Sequence, residues 1–211
     1  ILEAMERLAS ACAPVVICNS ESLRARYLEL KLGPPHKAVV LGAGTSNGIA
    51  MDRFAASEEL AAQVAALRER YSLAADTPTI GFVGRLVRDK GIDDLVTAFG
   101  DVQKVVSGAR LLLVGDYEPG DPVSDATKRA IDQSDSIIKT GFVSRVAPYL
   151  ALMQVFAFPS YREGLPNAPL EAAACGVPAV GYDATGTRDA IVDGKTGILV
   201  PVGAVGPLAD A

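Results

Sequence analysis

The stretch TIGFVGRLVRDKGIDDLVTAF, Thr79 to Phe99, sets the architecture. TIGFV is a short apolar run rich in β-branched and aromatic side chains, closed by Gly84, and reads as a strand. Beyond Gly91, the apolar positions Ile92, Leu95, Val96 and Phe99 recur at i, i+3, i+4 and i+7, the period of a helix with one buried face. A strand and a helix joined by a charged loop form one βα unit. The same alternation repeats downstream. RLLLVG at Arg110 to Gly115, SIIK at Ser136 to Lys139, VFAF at Val155 to Phe158 and PAVGY at Pro178 to Tyr182 are further strands, with helix-period segments between them. Runs that are apolar on both faces imply a sheet covered on both sides. The expected fold class is therefore α/β, a doubly wound parallel, Rossmann-like sheet with right-handed crossovers, whose ligands lie beyond the carboxyl ends of the strands.

Upstream the pattern is thinner. ILEAMERLASACAP predicts an amphipathic helix with Ile1, Met5, Leu8 and Cys12 on one face. VVIC at Val15 to Cys18, a helix capped by Ser20 with Leu23, Tyr27 and Leu30 in register, and AVVL at Ala38 to Leu41 make two strand-helix steps, too few for a complete sheet. The turn-rich GAGTSNG, Gly42 to Gly48, follows, and Ser57 caps a helix carrying Leu60, Val64, Leu67 and Tyr71. This places a boundary between residues 1–56, the tail of one Rossmann-like domain and a hinge, and residues 57–211, a second domain. With no initiator methionine, and with PVGAVGPLADA ending as a helix begins, a fragment of a longer protein is expected.

Composition narrows the function classes. At 211 residues and 49% hydrophobic content, the chain can bury a sizeable core, and no apolar run has the length that spans a bilayer. A formal net charge of −5 gives no overall basic field for nucleic acid. The cysteines at 12, 18 and 175 are odd in number, lack CxxC spacing and sit in apolar contexts; they read as buried thiols in a reducing cytoplasm.

Two loops carry candidate chemistry. In GRLVRDKG, Gly84 allows close backbone approach, while Arg85 and Lys90 place two cations at the carboxyl end of a strand, just before a helix N-terminus. Arginine can grip phosphate oxygens bidentately and lysine acts as a point charge, which suits a diphosphate without a metal. A solvated charged turn is the plainer alternative. In YREGLPNAPLEAAACGVP, Tyr161 to Pro178, Asn167 is expected to cap a helix from Ala168, leaving amides aimed at the preceding loop. Gly164 removes a side chain, Pro166 stiffens the turn, and Glu163 and Glu171 could accept hydrogen bonds from the hydroxyls at the two ends of a nucleotide sugar. Alternatively, Glu171 complements the helix dipole and Glu163 is a loop acid.

Other patterns are weaker. GAGTSNG has GxGxxxG spacing rather than that of a dinucleotide fingerprint. Asp116-Tyr117-Glu118, flanked by Pro119, Gly120 and Pro122, reads as a turn rather than a metal site. Gly194-Lys195-Thr196 lacks the upstream glycine of a phosphate loop and reads as a hairpin-like turn. His36, the single histidine, reads as a surface loop residue.

Taken together, NGIAMDRF at Asn47 to Phe54, GFVGRLVRDKGIDDLVTAF, LLLVGDYEPGDP at Leu111 to Pro122, TGFVSRVAPYL at Thr140 to Leu150, the two-glutamate stretch and DGKTGILVPVG at Asp193 to Gly203 resemble, in order and spacing, the donor-binding half of family 4 retaining glycosyltransferases. That resemblance implies a GT-B fold of two facing Rossmann-like domains, of which residues 57–211 would be the C-terminal, donor-binding one and residues 1–56 a remnant of the acceptor-side domain. It implies transfer of a hexose or N-acetylhexosamine from a nucleoside diphosphate sugar, a UDP-sugar above all, to a glycan or lipid-linked acceptor, as in capsular polysaccharide, exopolysaccharide or lipid-linked glycan synthesis. No metal or other cofactor is implied. By the same resemblance Arg85 and Lys90 hold the diphosphate, Glu171 the ribose, and Glu163 a hydroxyl of the sugar. Backbone at Gly84 and at Gly164, Leu165, Pro166 and Asn167 approaches phosphates and sugar, and backbone at Val143 faces the base. Configuration is retained by front-face attack. A cytoplasmic location at the inner membrane face, reached through the absent N-terminal domain, is implied too. Gln154 stands where the family usually has Asp, Asp189 where Glu is commoner, and the acceptor-side histidine is absent, so this chain is expected to bind donor better than it transfers sugar. An NAD(P)-dependent Rossmann oxidoreductase and a catalytically silent nucleotide-sugar-binding module are the other two classes the sequence leaves open.

Overall fold

A computed structural model describes residues 2–44 and 48–211. Ile1 of the first predicted helix, Thr45 to Asn47 of GAGTSNG and the opening Asn47 of NGIAMDRF lie outside the described residues. The first part of the chain runs α1 (Leu2–Cys12), β1 (Val16–Cys18), α2 (Glu21–Glu29), β2 (Ala38–Val40) and α3 (Glu58–Arg70). β1 and β2 pair in parallel as a two-stranded sheet. Ser20 and Ser57 cap α2 and α3 as expected, their hydroxyls accepting from the Leu23 and Leu60 amides at 3.2 and 3.1 Å.

The remainder runs β3 (Thr79–Val83), α4 (Ile92–Val105), β4 (Arg110–Val114), α5 (Asp125–Gln133), β5 (Ile137–Gly141), α6 (Ala147–Leu150), β6 (Val155–Phe158), α7 (Asn167–Ala174), β7 (Ala179–Tyr182), α8 (Thr187–Ala190), β8 (Gly197–Val200) and α9 (Val205–Asp210). All six strands of the larger sheet are parallel, in the order β5-β4-β3-β6-β7-β8. The chain lays strands outward from β3 in one direction, returns to β6, and continues in the other. The place where the order reverses lies between β3 and β6, where ligands of such sheets collect.

The core explains why these runs became strands. Phe82, Leu111, Leu112, Leu113 and Phe156 are completely buried, with helices on both faces, so successive residues of β4 find apolar surroundings whichever way they point. Ile92, Leu95 and Phe99 turn the predicted face of α4 onto this core. Gln154 clips the start of β6 to β3: its Oε1 accepts from the Thr79 amide at 2.5 Å while its backbone amide donates to Thr79 O at 2.9 Å.

Some expectations change. α1 forms, but Met5 and Leu8 are exposed, because no described residue covers that face; its buried residue is Ser10, whose hydroxyl meets that of Tyr27. Cys12 is exposed on the same helix and Cys175 half-buried, leaving Cys18 as the buried thiol. The turn at Gly194 to Thr196 opens no hairpin, because it leads into β8, which runs parallel to β7. Asn167 is the first helical residue of α7 rather than its cap, because the extended backbone of Pro166 (ψ 132°) occupies the cap position. Among the described residues, the first helical element after the glycines that follow β2 is a 3-10 turn at Met51–Arg53. No helix among the described residues is long and apolar enough to cross a membrane.

Asp93, in the first turn of α4, ties that helix to the start of α5. Its carboxylate accepts from the Ser124 amide at 3.0 Å and from the Thr127 hydroxyl. Burial alone would raise its pKa, but these hydrogen bonds and the charge of Arg88 outweigh it and hold the group below the ordinary aspartate value. The unfolded chain therefore binds this proton more readily. The resulting stability is present above about pH 4 and is lost as pH falls through the lower folded value. Asp93→Asn should flatten the decline in urea midpoint between about pH 5 and pH 3; an unchanged slope would take Asp93 out of the acid response.

Candidate nucleotide-sugar site

The loop after β3 is built to put Lys90 at the reversal point. Leu86 and Val87 are buried, and the Gly84 and Leu86 amides donate to Val114 O and Asp116 O at 3.0 and 2.9 Å, so the chain continues alongside the end of β4. Arg85, between them, faces outward and pairs with Glu118, the two side chains 65% and 44% exposed. A 3-10 turn, Arg88–Lys90, is gripped by Asp121: the Arg88 amide donates to its carbonyl at 3.1 Å and the Asp89 amide to its carboxylate at 2.8 Å. Gly91 then adopts φ 68°, closing the turn and starting α4; a Cβ there would collide with Pro159 O in the loop after β6.

That second loop is stitched to the first. The Tyr161 amide donates to Asp89 O at 3.0 Å, and the Arg162 guanidinium pairs with the Asp89 carboxylate at 2.6 Å. Asp94 accepts from the hydroxyls of both Tyr161 and Tyr182 at 2.6 Å, and the Tyr161 proton is held so firmly that its pKa rises to about 12, chiefly through that hydrogen bond. The stitching delivers Glu163 to Lys90. Their ion pair is shielded, the side chains 12% and 19% exposed, and Glu163 also accepts from Ser160 Oγ at 2.7 Å. The Lys90 ammonium lies 5.8 Å from the centre of the Phe158 ring.

Glu171 lies one turn into α7. It lines a cavity of about 370 Å³ with Arg53, Phe54, Ser144, Arg145, Val146 and Ala147. Burial pushes its carboxyl pKa up, and its charge adds to the burial that raises the Cys175 thiol to about 11. Val143 lines an adjoining, more open cavity of about 530 Å³ that shares Ser144 and Arg145 as walls. Of the four charged side chains expected to converge, Lys90 and Glu163 touch; Arg85 and Glu171 form no ion pair with either. Gly164, Leu165 and Pro166 form the loop that links Glu163 to α7.

Residues the sequence did not single out do much of the positioning: Asp89, Asp94, Ser160 and Asp121 around the ion pair, Arg53 and Arg145 beside Glu171. Asp89 and Asp94 flank Lys90 and could have been flagged by that spacing alone. The others become visible only when distant loops meet.

Residues 77–211 match the family described as glycosyl transferases group 1. The capsular polysaccharide biosynthesis glycosyltransferase CapM of Staphylococcus aureus is 34% identical over 204 residues, 96% of this chain and 52% of that protein. A GDP-mannose-dependent alpha-(1-6)-phosphatidylinositol monomannoside mannosyltransferase of Mycobacterium tuberculosis is 34% identical over 176 residues, 78% of this chain and 44% of that one. The chain thus spans about half the length of these relatives. The crystal structure of Anabaena Alr3699/HepE in complex with UDP has the same fold, with a TM-score of 0.83 at 23% identity, covering 100% of this chain and 57% of that one. By sequence and by the arrangement of its six-stranded sheet, the chain belongs to the glycosyl transferases group 1 family.

Proposed function

We propose that this chain is chiefly the donor-binding half of a retaining, metal-independent glycosyltransferase that moves a hexose or N-acetylhexosamine from a UDP-sugar to a glycan or lipid-linked acceptor. The observation that carries the reading is the shielded Lys90–Glu163 pair, whose members come from the two loops flanking the reversal point of the sheet. A cation and a carboxylate side by side match a ligand with a phosphate at one point and hydroxyls at the next. HepE, of like fold, was crystallised with UDP, which supports a uridine donor.

In this reading Lys90 leaves Glu163 for the diphosphate, and Arg85 leaves its exposed pairing with Glu118 to join it. Glu163, released, accepts a hydroxyl of the transferred sugar. Glu171 receives the ribose in its cavity, the base lies along Val143, and the amides of Gly164, Leu165 and Asn167 face phosphate and sugar at the start of α7. The bond between the anomeric carbon and the phosphate oxygen breaks with its electron pair going to the phosphate, where Lys90 and Arg85 stabilise the charge. The acceptor oxygen bonds to the same face of the carbon and its proton passes to the departing phosphate oxygen. Residues 1–56 are proposed as the end of the acceptor-side domain, and a cytoplasmic site of action at the inner membrane face completes the proposal.

Calorimetric titration of UDP, GDP and NAD into the chain tests it. Saturable binding of UDP and none of NAD is expected; binding of NAD without response to either nucleoside diphosphate would replace this reading with that of a dinucleotide enzyme.

A further inference from the structure

We infer that Ser20, far from the donor loop in sequence, is a positioning residue for it, holding the Gly164 peptide so that the next amide is presented to the ligand. This rests on the proposed donor site and adds to it a part contributed by the first 56 residues.

Ser20 is fully buried, and besides a long 3.5 Å contact with the Ser22 hydroxyl its own hydroxyl makes two hydrogen bonds at once. It accepts from the Leu23 amide at 3.2 Å, capping α2, and donates to Gly164 O at 2.7 Å. A hydroxyl has one proton and two lone pairs, so the two contacts do not compete. The Gly164 carbonyl follows Glu163 directly, and its orientation decides that of the next N–H, because carbonyl and amide point in opposite directions across a trans peptide. With Gly164 O turned to Ser20, the Leu165 N–H is turned away from it. Among the described residues no protein acceptor meets that N–H, although Leu165 is buried. An amide that meets no protein acceptor is free to take one from outside the chain, and a phosphate or sugar oxygen supplies it.

A second clasp lies beside the first. The Ser22 hydroxyl donates to Asp189 and accepts from the Gly186 amide at 2.7 Å, and the Ser22 amide donates to Asp189 Oδ1 at 3.2 Å. Gly186 packs so closely on the carbonyls of Glu163 and Gly164 that a Cβ there would overlap them. Asn19 completes the contact, its amide nitrogen 3.5 Å from where a Gly164 Cβ would stand. The turn from Asn19 to Ser22 thus holds the loops after β6 and β7 together, and Asp189, an unusual residue at its position within the family resemblance, gains a partner in Ser22.

Capping and positioning separate cleanly by substitution. Ser20→Gly and Ser20→Ala both lose the two hydrogen bonds, but glycine serves better as a cap, so Ser20→Ala should have a Tm about 2–4 °C below that of Ser20→Gly; Ser20→Thr keeps both bonds. With UDP as the probe in calorimetry, Ser20→Gly and Ser20→Ala are expected to bind about tenfold more weakly by the same factor, and Ser20→Thr to bind as the native chain does. Ser22→Ala, which leaves the α2 cap intact, should weaken UDP binding in the same direction. Native-like affinity in Ser20→Gly, or affinity that merely follows Tm through the series, would reduce Ser20 to a cap and overturn the inference. Absence of UDP binding by the native chain itself would instead overturn the donor-site reading, and is seen before any variant is made.

Discussion

Lys90→Ala is expected to weaken UDP binding by about 10- to 150-fold, the equivalent of losing one charged hydrogen bond of about 1.5–3 kcal/mol. Calorimetry on the 211-residue chain measures it directly. A cation dedicated to the ligand would be dispensable for folding, but the Glu163 pairing alters that expectation. Without Lys90 the shielded Glu163 carboxylate keeps only its Ser160 hydrogen bond, and stability should fall by on the order of 1–2 kcal/mol. The double substitution Lys90→Ala/Glu163→Gln removes the orphaned charge and should recover most of the lost stability, while UDP affinity stays low. Unchanged UDP affinity in Lys90→Ala would remove the lysine from the site, whatever happened to stability.

Gly91→Ala should be a highly damaging small substitution near the site. The residue is left-handed, at φ 68° and ψ 29°, which costs an L-residue about 1–2 kcal/mol, and its new methyl would meet the Pro159 carbonyl, a backbone atom that cannot turn aside as a side chain would. A loss of about 3 kcal/mol, or roughly 6–12 °C in Tm, follows for a chain of this size. UDP binding should fall with it, because the overlap parts the two loops that bring Lys90 and Glu163 together. Gly100→Ala is the control: it lies within α4 where a Cβ meets nothing, and it should leave stability unchanged or raise it by up to about 1 kcal/mol. Equal Tm values for the two variants would show that the loops do not touch at Gly91.

How much of this is legible before the fold is known depends on which forces are local. β3 and β6 have the predicted bounds because each is a compact apolar run, and α4 starts at Ile92 because its buried face is written at helical spacing. β8 is harder to see: GILV is short, follows a glycine-lysine turn and is only partly buried as an edge strand, so its run resembles a loop until β7 pairs with it. Lys90 and Glu163 are readable as candidates from their loops, but their contact depends on β3 lying beside β6, which no spacing in the sequence encodes. Arg85 shows the same limit in reverse. Its cationic character is plain, yet Glu118, with which it pairs, comes from the loop after another strand. Ser20 is legible as a helix cap, and its second hydrogen bond, to Gly164, is not, because only the tertiary fold brings that carbonyl within reach.

The adjacency of β3 and β6 acts as a ruler. Paired strands lie roughly 4.8 Å apart in every sheet, so the spacing of the loops that carry Lys90 and Glu163 is inherited from backbone geometry rather than negotiated by side chains. Either loop can therefore be exchanged to admit a different headgroup or base, and that spacing is kept.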